Sequence, residues 1–447
     1  MNVLEEQIIS YGDNFSNIEL LLKTINDDFK KSQNQEPSLF YHLSYFDLAN
    51  GLLGNCIFLS EMDEFYPEVG YDKYAFNILN LGINRKNIIA LKDAGLWTGL
   101  SGVCFTLRSL SKEGLRYNNL IQECEKILKP LIKLKLKEAQ ANLNCNQVKM
   151  TDYDLMEGLS GIAAYILSFK FEDIEMNQLF IEILEYLCEL TDYHFIDDNL
   201  LIPNWHINSE NQFIAAEKIS FHKGNFNNGI SHGITSVLII LIKGLNVHPT
   251  LKIKKSIHQL IKWFKTTVIN TEEMLVWEKK LSLQSYLKID SENKYSEDDV
   301  NFSWCYGDIM IARALWVAGD ALNDKEIQNF SMDCFKSYAS RINDINLISP
   351  TFCHGLAGTL AIIHQMWLDS NHNIFKNMEE ELLEKTLTFY NPKRSIFGYK
   401  DIEKVGDDVY NFNKLGLLSG NSGIYLVLLY ILKNHNKTNW TQLFLLN

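Results

Sequence analysis

The chain has 447 residues, with 55 acidic against 42 basic side chains, a net charge of −13, and 46% apolar and 22% charged residues. This is the composition of a globular protein with a large core, and without a dense Lys/Arg run it excludes a nucleic-acid backbone as the main partner. The start, MNVLEEQIIS, lacks the basic segment and apolar core of a secretory signal, and no apolar stretch reaches the roughly 18 residues of a membrane span. The chain therefore reads as cytoplasmic, its eight cysteines as reduced thiols rather than a disulfide framework.

A glycine turn followed by an apolar helical run recurs seven times. It appears as NGLLGNCIFL at Gly51, TGLSGVCFTL at Gly99, EGLSGIAAYI at Gly158 and SHGITSVLII at Gly233. It continues as CYGDIMIARA at Gly307, CHGLAGTLAI at Gly355 and SGNSGIYLVL at Gly420. A second glycine lies three residues on in five of these, at Gly54, Gly102, Gly161, Gly358 and Gly423; Ser236 and Met310 stand there in the other two. Between the turns run amphipathic segments such as NNLIQECEKILKPLIKL from Asn118, NQLFIEILEYLCEL from Asn177 and KIKKSIHQLIKWF from Lys252. Their apolar residues recur at three- and four-residue steps.

Each unit thus predicts one amphipathic outer helix and one apolar inner helix. The spacings of 48, 59, 75, 74, 48 and 65 residues are too irregular for a solenoid and favour a closed ring. In a ring, the residues just before the glycines gather around one cavity at the starts of the inner helices. Two stretches break the pattern. The segment 194–228 is polar with short β-like pieces such as LLIPNW, and reads as an insertion; Lys279–Asp299 reads as a second.

Chemistry-bearing residues sit at these turns. Cys305 lies two before Gly307, Cys353 and His354 lie two and one before Gly355, His232 directly precedes Gly233, and Asp154 lies four before Gly158. Two thiolates and an imidazole make a three-ligand zinc site with one open position. The same residues also read as two core thiols beside a capping histidine. His232 reads as a fourth ligand or as a proton-transfer group. Asp154 reads as the carboxylate that orients it, or as a helix cap in TDYDLMEG.

The ordered set YDLMEGLSG at Tyr153, SHG at Ser231, WCYG at Trp304 and CHG at Cys353, with the repeated glycine turns, resembles the lanthionine synthetase C (LanC) family. The resemblance runs from about Gly51 to Gly423 and covers the chain as one domain. It implies an all-α, (α/α)7 toroid of seven inner and seven outer helices with a small SH2-like insertion, which the polar segment 194–228 would supply. It implies zinc held by Cys305, Cys353 and His354, with His232 and Asp154 as proton-transfer residues and Tyr306 as the recurrent tyrosine of the site. The implied reaction is addition of Cys thiols to dehydroalanine or dehydrobutyrine in a dehydrated precursor peptide, forming thioether rings. A complex with a dehydratase and an exporter follows from the same likeness, and would bring the protein to a membrane. Two other readings stand beside it: a LanC-like enzyme that adds glutathione to dehydrated residues, and a weakened peptide-binding scaffold. One position departs from the pattern, because Asn301 stands where the family usually has Arg, four before the first zinc-ligand Cys.

Overall fold

A computed structural model describes residues 3–33, 46–171, 173–196, 200–271, 273–287, 300–342 and 347–447. All seven glycine turns open a helix. These inner helices are α1 (Leu52–Phe65), α2 (Leu100–Ser109), α3 (Leu159–Ser168), α4 (Ile234–Val247), α5 (Asp308–Ala321), α6 (Leu356–Ser370) and α7 (Asn421–Lys433). They are buried on nearly every side; α4 is buried from Ile234 through Ile242. Each fully buried Leu or Ile in such a helix contributes roughly 2 kcal/mol relative to exposure.

Amphipathic helices cover them. Tyr71–Gly82 packs on α1, Ile174–Leu190 on α3, Leu251–Thr267 on α4, Lys325–Ala339 on α5 and Asn373–Thr388 on α6. The first helix of the chain, Val3–Asp13, packs on α7. In Leu251–Thr267 the buried set Ile253, Ile257, Leu260, Ile261 and Phe264 follows the expected helical step.

The glycines are required by close approach rather than by unusual backbone angles, since each helix-opening glycine is extended. A Cβ on Gly161 would lie 2.2 Å from the carbonyl oxygen of Leu155, and one on Gly423 would lie 1.9 Å from that of Leu417. In both, the residue six before crosses the first turn of the helix, so the second glycine of the repeat leaves room for the preceding loop.

The described residues form two compact units. The first comprises Met1–Lys92, Trp97–Lys126 and Ile342–Leu446; the second comprises Asp93–Leu96, Ile127–Arg341 and Asn447. In the first, α6, α7, α1 and α2 pack in that order; in the second, α3, α4 and α5 do. Backbone hydrogen bonds tie neighbouring turns sideways. In the first unit the Leu48 amide donates to Trp97 O (2.9 Å), Leu418 to Ala49 O (2.8 Å) and Cys353 to Leu418 O (2.8 Å). In the second, Leu155 donates to Ser231 O (3.2 Å) and Ser231 to Cys305 O (3.3 Å).

Strands are short and antiparallel. The polar segment 194–228 holds most of a hairpin of β1 (Tyr193–Ile196) and β2 (Leu200–Pro203), a short helix Ala215–Ser220, and β3 (Asn225–Asn227). A two-residue ladder joins β4 (Ile269–Asn270) to β5 (Leu275–Val276). The second expected insertion opens with β6 (Lys280–Ser282), which pairs with β3, so the two insertions meet; its remainder from 288 to 299 lies outside the described residues. Trp205, Phe226, Trp263 and Tyr286 form an aromatic cluster that anchors this region to Leu251–Thr267. In the first unit, β7 (Asp401–Val405) and β8 (Asp408–Phe412) form a hairpin. No helix among the described residues is long and apolar enough to cross a membrane.

Candidate active site

In the second unit, the turns before α3, α4 and α5 bring Asp154, His232, Cys305 and Tyr306 together. Asp154 is not the helix cap that its sequence also allowed, because Gly158 takes the N-cap position of α3. Its Oδ1 accepts the amides of Glu157 (2.8 Å) and Gly158 (2.7 Å) in the turn before α3, while its Oδ2 lies 2.6 Å from His232 Nδ1. A carboxylate only accepts, so Nδ1–H donates and Nε2 is left to exchange a proton. The Asp154 side chain is fully buried and that of His232 is 28% exposed, so the charge sits inside while the imidazole reaches outward.

The Cys305 turn is locked to the His232 turn. Cys305 O accepts from the amides of Ile230 (3.1 Å) and Ser231 (3.3 Å) and from Ser231 Oγ (3.2 Å). Its Sγ lies 3.5 Å from Ser303 Oγ. The thiol is half-buried, as is that of Cys353, whereas Cys56, Cys104, Cys124, Cys188 and Cys334 are buried and Cys145 is exposed. The two candidate ligands are thus set apart from the core thiols.

Tyr306 follows in the same turn. Its ring centroid is 6.4 Å from that of His232, and its hydroxyl accepts from Asn227 Nδ2 at 3.2 Å. Burial pushes this hydroxyl well above the ordinary tyrosine range, so it stays protonated. Asn227 was not singled out in the sequence, although NFNNG just before the SHG turn places three asparagines where an apolar strand would serve packing better. All three are buried and each makes a side-chain hydrogen bond. Phe213 also lacked a sequence signal. It is 68% exposed, and its ring lies at 24° to the His232 imidazole with centroids 6.5 Å apart.

Cys353 and His354 belong to the first unit, on the turn before α6. His354 Nε2 lies 3.3 Å from Asp401 Oδ1 and 3.9 Å from Glu403 Oε1. Asp401 also accepts from Ser349 Oγ (2.9 Å) and from the Lys414 ammonium (2.5 Å), which reaches Glu403 at 3.3 Å. Burial alone would raise the Asp401 carboxyl, but its bond to His354 and the Lys414 charge hold it well below the usual range. Glu403 is pushed up by burial and by Asp401.

Among the described residues, His354, Asp401 and Glu403 are a group close enough to share a cation. The Lys414 ammonium already contacts both carboxylates there. The arrangement fits better as an outer support: a carboxylate at one ring nitrogen fixes the tautomer that offers the other nitrogen to a metal. The two carboxylates arrive on β7, which carries no glycine-turn motif.

The lanthionine synthetase C-like protein family model matches residues 44–445. The chain belongs to that family. It is 25% identical over 425 residues to the nisin biosynthesis protein NisC of Lactococcus lactis subsp. lactis, covering 94% of this chain and 92% of that protein. A solved structure of a nisin cyclase superposes with a TM-score of 0.74 at 22% identity, covering 96% of this chain and 98% of that one. The likeness gives this LanC-like chain the cyclase's fold, an α/α toroid.

Proposed function

We propose that this LanC-like protein is a zinc-dependent lanthipeptide cyclase, joining Cys thiols of a dehydrated precursor peptide to dehydroalanine or dehydrobutyrine. The observation that carries this reading is the Asp154–His232 pair, hydrogen-bonded through Ser231 to the turn that presents Cys305. Family membership supplies the reaction class, and the nisin-related proteins that the chain resembles match it over more than nine-tenths of its length.

In this reading Cys305, Cys353 and His354 hold the zinc. The residues suit it: two half-buried thiols and an imidazole backed by Asp401 are a nitrogen–sulfur donor set of the kind zinc takes. Bound zinc would lower the proton affinity of the incoming peptide thiol so that it reacts as thiolate. The new bond joins the sulfur to the β-carbon as the alkene π bond opens, leaving an enolate at the α-carbon. His232, held by Asp154, gives that carbon its proton and is reset by the proton the thiol lost. The sum is one S–H and one C=C converted to one C–S and one C–H, with no oxidant or reductant. Tyr306, kept neutral by burial, donates from its hydroxyl to the carbonyl oxygen on which the enolate charge gathers. The toroid mainly supplies proximity and orientation.

The test incubates purified protein with a dehydrated precursor peptide and then with a thiol-alkylating reagent. Cyclised cysteines resist the reagent, so the mass pattern counts rings, while metal analysis of the same preparation counts zinc. Full alkylation after prolonged incubation, or protein that neither contains nor takes up zinc, is the outcome that removes the proposal. Cys353→Ala is expected to lose both zinc and ring formation.

A further inference from the structure

Asn301 occupies the position where the first expectation was an arginine, and its side chain is bonded inward to the chain itself. Asn301 Oδ1 accepts the Ser303 amide at 2.7 Å, closing a turn of the kind asparagine makes with the residue two ahead. Around that turn, Asn301 O accepts the Asp308 amide at 2.8 Å and the Asn301 amide faces Asp308 Oδ2 at 3.4 Å. Both ends of the 301–308 loop are therefore pinned to each other. Trp304 and Ser303 in its middle are buried, at 0% and 1% exposure. The loop is also pinned from outside, because Cys305 O carries the three bonds from Ile230 and Ser231. With the main chain held on both sides, the Ser303 hydroxyl has a fixed place, 3.5 Å from Cys305 Sγ.

We infer that Asn301 and Ser303 are positioning residues for the Cys305 ligand: Asn301 closes the turn, and the Ser303 hydroxyl donates a hydrogen bond to the Cys305 sulfur. This rests on the zinc reading above. A thiolate carries no proton, so the hydroxyl is the donor in that pair. A donor there spreads the sulfur's charge and orients its lone pairs, as outer partners of metal ligands do. The arginine of the family pattern has no acceptor and cannot close this turn. In this chain the position therefore serves the geometry of the ligand loop, not a fixed charge.

The experiment measures zinc transfer from the full-length protein to a chromogenic chelator, beside amide hydrogen exchange in the peptide spanning 301–308. Partner deletion around a metal ligand costs about 10- to 100-fold in affinity, so Ser303→Ala and Asn301→Ala are each expected to release zinc faster by about that factor. The double variant is expected to be no faster than the quicker single one, because both act through one bond. Asn301→Ser, whose oxygen still accepts the amide of residue 303, is expected to recover most of the loss. Asn301→Arg is expected to behave like the alanine variant. In exchange, the Ser303 amide loses protection in Asn301→Ala and Asn301→Arg and keeps it in Asn301→Ser, with or without zinc. Folded Asn301→Ala protein that holds both zinc and amide protection as the wild type does would overturn the inference, as would Asn301→Arg binding zinc more tightly. Wild-type protein without zinc would instead remove the metal reading, and the exchange data on metal-free protein would still decide whether Asn301 closes the turn.

Discussion

Asp154 serves His232 and the turn before α3 with different oxygens of one carboxylate. Oδ2 holds the imidazole and Oδ1 holds the amides of Glu157 and Gly158. Asn at this position keeps an oxygen for the amides but turns an NH2 toward His232. The imidazole must then accept at Nδ1 and carry its proton on Nε2, the wrong tautomer for taking up a proton there. Asp154→Asn is therefore expected to fold, to keep its zinc, and to slow ring closure by about a hundredfold or more. His232→Asn is expected to keep zinc and lose about 10²- to 10⁴-fold. Single-turnover cyclisation of a dehydrated peptide, with metal analysis in parallel, checks both; loss of zinc from His232→Asn would make it a ligand.

The Asp401 carboxylate is expected to support His354 and to compensate Lys414 at once. Lys414 is 8% exposed in its side chain and Asp401 not at all. Asp401→Asn leaves the buried ammonium with Glu403 as its remaining acid, and breaking a buried pair costs about 3 kcal/mol. It also weakens the support of the imidazole, so zinc affinity is expected to fall about tenfold or more. Chemical denaturation and zinc competition measure the two effects separately. An unchanged zinc affinity would show that His354 needs no carboxylate behind it.

Asp308 is buried at the start of α5, where its Oδ1 accepts the Trp277 amide at 2.7 Å. Burial, against the bonds from the Trp277 and Asn301 amides, pushes its carboxyl up to about 7. The folded state then binds more protons than the unfolded state between about pH 4 and pH 7, so stability falls as pH rises through that window. Asp308→Asn removes this dependence and keeps an acceptor for Trp277. The variant is expected to gain on the wild type by about 1.4 kcal/mol per pH unit from pH 5 to 7, with no further gain above. Urea denaturation of both proteins at pH 5, 6, 7 and 8 gives the comparison; parallel pH profiles would place the Asp308 carboxyl in its ordinary range.

Phe213 is an exposed aromatic beside the group proposed to protonate the enolate. On the proposed reading, a peptide reaching His232 would pass over this ring. Phe213→Ala is expected to raise KM about three- to tenfold with kcat nearly unchanged, the size of one aromatic contact. Steady-state kinetics on the dehydrated peptide separates the two constants. A fall in kcat with constant KM would instead make Phe213 part of the placement of His232.

Much of this architecture is legible in the chain because its cause is local. A glycine was needed wherever a loop carbonyl crosses the first helical turn, as Leu155 O does at Gly161 and Leu417 O at Gly423, so the repeat could be read without knowing what packed against what. The repeat also pointed to Asp154, His232, Cys305, Cys353 and His354, since each occupies a turn just before a helix-opening glycine. Other features left no local trace. Asp401 and Glu403 lie on β7 and Lys414 two residues past β8, and only folding carries the two carboxylates to His354 and the ammonium to both of them. Asn227 reaches Tyr306 across 79 positions, and Asp154 reaches His232 across 78. Sequence spacing could not choose between a cap and an orienting carboxylate for Asp154, because that choice depends on which atoms face each of its two oxygens. The pattern of glycines and apolar runs determined which segments become inner helices; which side chains then share hydrogen bonds was decided only when tertiary packing removed water from their surroundings and left each buried polar atom to find a partner within the protein.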